Sequence, residues 1–135
     1  MEVVFIDANI FLEIVLKDKR SDDCKKFLYR VLNEEIKAYT NDFIVYSCLL
    51  HVQRTDKSKM KDFIVFLNSF DMLEIIRCSF SDMIGAIGYI NTYNLDFDDA
   101  LVVSSMLKNS VGRLVSFDKH FDKVKGIERV EPAVL

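Results

Sequence analysis

Aspartates stand where apolar runs end or helical spacing begins: Asp7 closes Val3-Val4-Phe5-Ile6, Asp118 closes Leu114-Val115-Ser116-Phe117, and Asp98 with Asp99 opens a helical stretch. In an open parallel α/β sheet, ligands bind beyond the carboxyl ends of the strands. Carboxylates gathered at that edge repel and raise one another's pKa unless a cation or a donor lies between them. A hard divalent ion with oxygen ligands is the simplest remedy, so the pattern points to a magnesium-type site. Taken singly, each acid reads as a helix cap or first-turn charge: Asp7 before the first helix, Asp98 and Asp99 in theirs, Asp118 over a short turn at Lys119 to Lys123. The metal reading rests on the combination, because a parallel sheet sets the strands ending at Asp7 and Asp118 side by side.

The elements that must position these acids follow from periodicity. Residues 2 to 6 read as a buried strand, and Ile10, Phe11, Ile14 and Val15 follow at helical spacing. Cys24, Phe27, Leu28, Val31 and Leu32 repeat an amphipathic pattern, with Ser21 or Asp22 as its cap. A short strand is expected over residues 37 to 40, then a helix capped by Asn41 or Asp42 and running to about Gln53. A polar break from Arg54 to Lys59 separates it from a helix carrying Met60, Phe63, Ile64 and Leu67, which makes a helical hairpin. Met72 to Ile76 is a third strand, and Ser79 with Asp82 forms a capping box for a helix bearing Phe80, Met83, Ile84, Ile87 and Ile90. A helix from Asp98 to Lys108, a fourth strand over 113 to 117 and a short fifth over Glu128 to Val130 complete the series. Strands alternating with helices predict a three-layer α/β/α sandwich around a mainly parallel sheet of four to five strands.

The 135 residues suit a single domain, half of them hydrophobic, with only 4 Gly and 1 Pro, so disorder is excluded. Cys24, Cys48 and Cys78 fit neither a zinc-ligand spacing nor a redox pair and read as reduced core thiols. His51 and His120 lack paired spacing and are given no weight as ligands. The N-terminal residues lack a basic leader pattern and no apolar run is long enough to span a membrane, so a cytoplasmic protein without a membrane partner is expected. A net charge of −3 argues against general electrostatic binding of nucleic acid. It does not exclude a metal-dependent nucleic-acid enzyme, since two divalent ions would bring the balance to about +1.

The chain resembles the PIN-domain nucleases, a group that includes the VapC toxins of toxin-antitoxin pairs. The resemblance is carried by Phe5-Ile6-Asp7-Ala8-Asn9-Ile10-Phe11-Leu12, Asp98-Asp99-Ala100-Leu101-Val102-Val103 and Val115-Ser116-Phe117-Asp118-Lys119-His120-Phe121, in that order. It implies Mg2+- or Mn2+-dependent cleavage of RNA, with Asp7, Asp99 and Asp118 as catalytic metal ligands. By the same match Asn9 and Ser116 are supporting polar groups, Asp98 or Asp122 assists, and an antitoxin protein is a partner; in such a site Lys119, a lysine beside Asp118, is expected to meet the phosphate.

One departure from the family pattern stands out. The segment Thr40 to Ser47 usually ends in a glutamate that completes an acidic quartet, and here the residue is Ser47. Asp42 is displaced from Ser47 by five helical residues, about 140° around the helix, and cannot simply substitute. Glu13, one turn beyond Asn9 on the same face, is a candidate replacement. Two outcomes remain open: a three-carboxylate ribonuclease site, or a catalytically impaired PIN fold acting as an RNA-binding or protein-interaction module. In the second case the apolar helix from Asp42 to Val52 offers a face for a homodimer or an antitoxin peptide. Haloacid-dehalogenase-like phosphatases are disfavoured because Asp7-Ala8-Asn9 lacks the second acid, and receiver domains because no early acidic pair follows the first strand.

Overall fold

The computed structural model describes residues 1 to 135. Its centre is β1 (Glu2–Ile6), in which Val4, Phe5 and Ile6 are wholly buried. A run apolar on both faces is what a parallel sheet covered by helices on each side requires. β1 pairs in parallel with β2 (Ile36–Asn41) on one side and β4 (Arg113–Val115) on the other. β3 (Leu73–Ile76) and β5 (Glu128–Val130) close the edges, giving a five-stranded, all-parallel sheet of order β3-β2-β1-β4-β5. The chain winds outward from β1 to β3, then returns to lay β4 on the other side of β1. The β1/β4 boundary is therefore the topological switch point, where an open α/β sheet leaves a crevice.

The helices are α1 (Ala8–Val15), α2 (Ser21–Leu32), α3 (Asp42–Asp56), α4 (Met60–Asn68), α5 (Phe80–Tyr93) and α6 (Phe97–Lys108). Their starts match the expected caps in most cases. Asp7 caps α1 by accepting from Ala8 N, Asn41 caps α3 by accepting from Ile44 N, and Ser79 with Asp82 makes the full capping box of α5. Neither Ser21 nor Asp22 caps α2: Arg20 holds that position without a side-chain bond, and Ser21 is already helical. The fourth strand is shorter than expected. It ends at Val115, because Ser116 turns its hydroxyl to the site and its carbonyl to Arg129.

Buried side chains from both faces of the sheet form one cluster of 29 residues, with Phe11 and Phe63 meeting edge to face at 6.4 Å. Two local devices aim α6. Asn94 takes a left-handed conformation (φ 53°) at the end of α5, a role its short polar side chain tolerates. Gly85 lets α5 approach α6 closely, since a Cβ there would lie 3.1 Å from Ser104 Oγ. Together they set the first turn of α6, with Asp98 and Asp99, against the carboxyl ends of β1 and β4. No helix is long and apolar enough to cross a membrane.

Candidate active site

Asp7 follows β1 directly, and its backbone N–H continues the β1/β4 ladder by donating to Val115 O at 3.1 Å. The residue is 8% exposed. Oδ1 accepts from Ala8 N at 2.8 Å, and Oδ2 accepts from Ser116 Oγ at 2.7 Å and from Asn9 Nδ2 at 3.4 Å. Ser116 Oγ in turn accepts from Asp118 N at 3.0 Å and from Asn9 Nδ2 at 3.3 Å, while Asn9 Oδ1 accepts from Phe117 N. Asn9 and Ser116, expected as supporting groups, thus tie the ends of β1 and β4 together. Ser116 reaches Asp118 through the backbone, and the carboxylate it orients is Asp7.

Asp99 reaches the same place from α6 and Asp118 from the loop after β4. Burial pushes the Asp99 carboxyl up to about 7, and the charges of Asp98, Asp118, Asp7 and Asp96 push the same way. Burial also raises Asp7, against the hydrogen bonds from Ser116 and Ala8, with Asp118 and Asp98 adding to the rise. Carboxylates from three separate elements are therefore held close enough to oppose one another's ionisation. Asp7, Asp98, Asp99 and Ser47 line a fissure of about 30 Å3, large enough for an ion or a water. A wider recess of about 250 Å3 opens beside it, lined by Asn94, Asp96, Asp99, His120 and Lys123. The donor set fits a hard divalent cation: oxygen ligands from fixed backbone positions, in a spot where added positive charge relieves repulsion.

The remaining expected residues divide. Asp98 is exposed at the fissure mouth and acts on both Asp7 and Asp99 through its charge. Asp122 points away and pairs with Arg129 Nε at 2.7 Å, and Arg129 Nη1 donates to Ser116 O at 2.9 Å. Asp122 therefore stands outside the acidic cluster. Lys119 is exposed and acts on Asp122, whereas Lys123, one turn on, lines the recess. Glu13 does not replace the missing glutamate, because its carboxylate accepts from Arg20 N at 3.1 Å and Nε at 3.4 Å. Asp42 is likewise committed, accepting from Cys78 N at 3.0 Å. Ser47 lines the fissure, so the position without a carboxylate belongs to the site wall.

His120, which no paired histidine spacing marks as a ligand, has its Nδ1 3.0 Å from Asp118 Oδ1 and 3.9 Å from Asp99 Oδ2. The signal was local. Asp118 caps the 3₁₀ turn over Lys119–Lys123 by accepting from His120 N, and that geometry folds the residue two places on back over the aspartate. None of the cysteines is paired; Cys24 and Cys48 are core thiols as expected, whereas Cys78 is half-buried at the core's edge, and burial raises Cys24 and Cys48 to about 12 and Cys78 to about 11.

The PIN domain family model matches residues 4 to 127. A parallel α/β/α sheet with acids at its switch point is the class of fold, and the chain belongs to the PIN domain family. Solved structures of similar fold include a toxin-antitoxin complex from Klebsiella pneumoniae, with TM-score 0.73 and 15% identity over 96% of this chain and 97% of that one. VapC20, the sarcin-ricin loop cleaving toxin of Mycobacterium tuberculosis, superposes with TM-score 0.72 and 13% identity, covering 88% of this chain and 92% of its own. VapBC2 of Rickettsia felis, solved with a promoter DNA fragment, gives TM-score 0.73 and 15% identity over 96% and 98% of the two chains. Comparison with curated protein sequences gives no match.

Proposed function

We propose that this PIN domain is a divalent-metal-dependent endoribonuclease, acting as the toxin of a toxin-antitoxin pair. The observation that carries the reading is the convergence of Asp7, Asp99 and Asp118 at the β1/β4 switch point, with Asp99 raised by burial and by the charges of Asp98, Asp118 and Asp7, and Asp7 raised by burial and by those of Asp118 and Asp98. Asp99, Asp118 and Asp7 would hold the ion, with the Asp7 carboxylate oriented by Ser116 Oγ and Ala8 N–H. When bound there, Mg2+ or Mn2+ would lower the pKa of a water and neutralise charge on the phosphodiester. Asp98 strengthens the field at the fissure mouth. Lys123 takes the phosphate-binding role expected of Lys119, because it lines the recess beside Asp99. No side chain acts as nucleophile, so the protein's part is to fix positions and exclude competing geometries.

RNA as substrate and an antitoxin as partner are read from the family and from neighbours of low identity named as toxins and toxin-antitoxin complexes. An antitoxin segment suits the apolar groove of about 260 Å3 between α1, α2 and α4, lined by Ile14, Leu28, Leu32, Phe66 and Phe70. A homodimer is supported by exposed apolar residues on α3 and α5, among them Tyr46, Leu50, Phe80 and Ile84. A cytoplasmic location belongs to the same proposal, as the place where a toxin would meet both its antitoxin and cellular RNA. Incubating purified protein with RNA and Mn2+, beside Asp99→Asn and an EDTA control, tests the reading: cleavage by the wild type alone, abolished by EDTA, supports it.

The second reading, an impaired PIN fold used for binding, is favoured by Ser47 in the fissure wall. It requires intact folding and RNA or protein binding with no metal-dependent cleavage.

A further inference from the structure

The imidazole of His120 faces two of the three site carboxylates, Nδ1 3.0 Å from Asp118 Oδ1 and 3.9 Å from Asp99 Oδ2. Its side chain is 72% exposed, so packing does not fix it. The backbone places the residue: His120 N–H donates to the same Asp118 oxygen at 2.9 Å, which sets His120 beside the carboxylate. One donor atom from each of Asp99, Asp118 and His120 lies within 4.8 Å of the others. Ligands about 2.1 Å from an octahedral ion stand about 3.0 Å apart when adjacent and about 4.2 Å apart when opposite. Both separations from Nδ1 fall in that range. On the fissure wall, Ser47 offers a hydroxyl and no carboxylate.

We propose that His120 is a nitrogen ligand of the divalent ion at this site and biases it toward Mn2+ over Mg2+. The proposal rests on the reading that Asp7, Asp99 and Asp118 hold a metal at all. Mg2+ prefers oxygen donors and retains its waters, whereas imidazole suits the first-row transition ions. A site that lacks one carboxylate and gains one imidazole shifts in that direction. The competing role for His120 is a charged partner of Asp118 that a metal would displace, and it makes the opposite prediction for affinity.

Electron spin-echo measurements on the Mn2+-loaded protein, with Mn2+ and Mg2+ affinities by calorimetry, separate these roles. The variants are His120→Gln, His51→Gln and Asp99→Asn. Nitrogen modulation is expected in the wild type and in His51→Gln and absent from His120→Gln. His120→Gln should weaken Mn2+ binding by about tenfold and Mg2+ binding by less than about threefold. Mn2+ binding without nitrogen modulation in the wild type overturns the proposal, as does unchanged or tighter Mn2+ binding by His120→Gln. If Asp99→Asn still abolishes binding in those cases, the acidic metal site survives and only the histidine ligand is lost. A wild type that binds no Mn2+, or an Asp99→Asn variant that binds it normally, overturns both readings.

Discussion

Ser116 Oγ donates to Asp7 Oδ2 at 2.7 Å and accepts from Asp118 N at 3.0 Å, so one buried hydroxyl joins the ends of two neighbouring strands to the two acids that follow them. Ser116→Ala leaves the Asp7 carboxylate and the Asp118 N–H without that partner in a wholly buried position. Loss of about 1–3 kcal/mol of stability is expected, read by urea unfolding. Mn2+ affinity should fall as well, because Asp7 loses the donor that holds its rotamer.

Asp99 makes the metal-free protein pH-sensitive. Its carboxyl is raised to about 7 in the folded state by burial and by Asp98, Asp118, Asp7 and Asp96. The unfolded chain gives up this proton near pH 4, while the native state keeps it to about pH 7, so stability falls between those values and then levels off. Discounted for solvent screening, the loss is about 1–2 kcal/mol. In EDTA, Asp99→Asn should melt above the wild type at pH 8 and level with it at pH 4.5, measured by thermal unfolding.

Asp82 acts with the opposite sign. Burial pushes its carboxyl up, but hydrogen bonds from Ser79 N and Oγ and the Lys108 ammonium at 3.0 Å outweigh this and leave it below the ordinary carboxylate range. Its contribution is present above the unfolded pKa of about 4 and is lost as pH falls through the native value. Asp82→Ala should cost about 1–3 kcal/mol at pH 7, and the gap to wild type should narrow in acid, as chemical denaturation at pH 7 and pH 3 will read.

Asp122 and Arg129 should separate cleanly. Asp122→Ala removes an exposed ion pair and should leave the Mn2+ response unchanged. Arg129→Ala also frees the Ser116 carbonyl and should weaken Mn2+ binding, measured by calorimetry.

The alternation of elements was legible because Val3 to Ile6 and Leu114 to Val115 are apolar strands that stop at polar residues, and because α2 and α5 keep clear helical spacing. The expected adjacency of Asp7 and Asp118 depends on the strand order as well as on parallel pairing, and it is the placement of β4 beside β1 that supplies it. Side-chain commitments made by distant loops were not legible. Glu13 lies on the helical face its spacing implies, but Arg20, from the loop before α2, takes its carboxylate. His120 is not legible from spacing between histidines, because its partner is the aspartate two residues before it.

Thermal unfolding of wild type and Asp99→Asn at pH 7.5, each in EDTA and in millimolar MnCl2, tests the central claim most directly. A Mn2+-dependent rise in melting temperature in the wild type that vanishes in Asp99→Asn is the predicted result, since an ion that binds only the folded state stabilises it in proportion to RT ln(1 + [Mn2+]/Kd). No Mn2+ response in the wild type, or an equal response in both proteins, would contradict a metal site built on Asp7, Asp99 and Asp118.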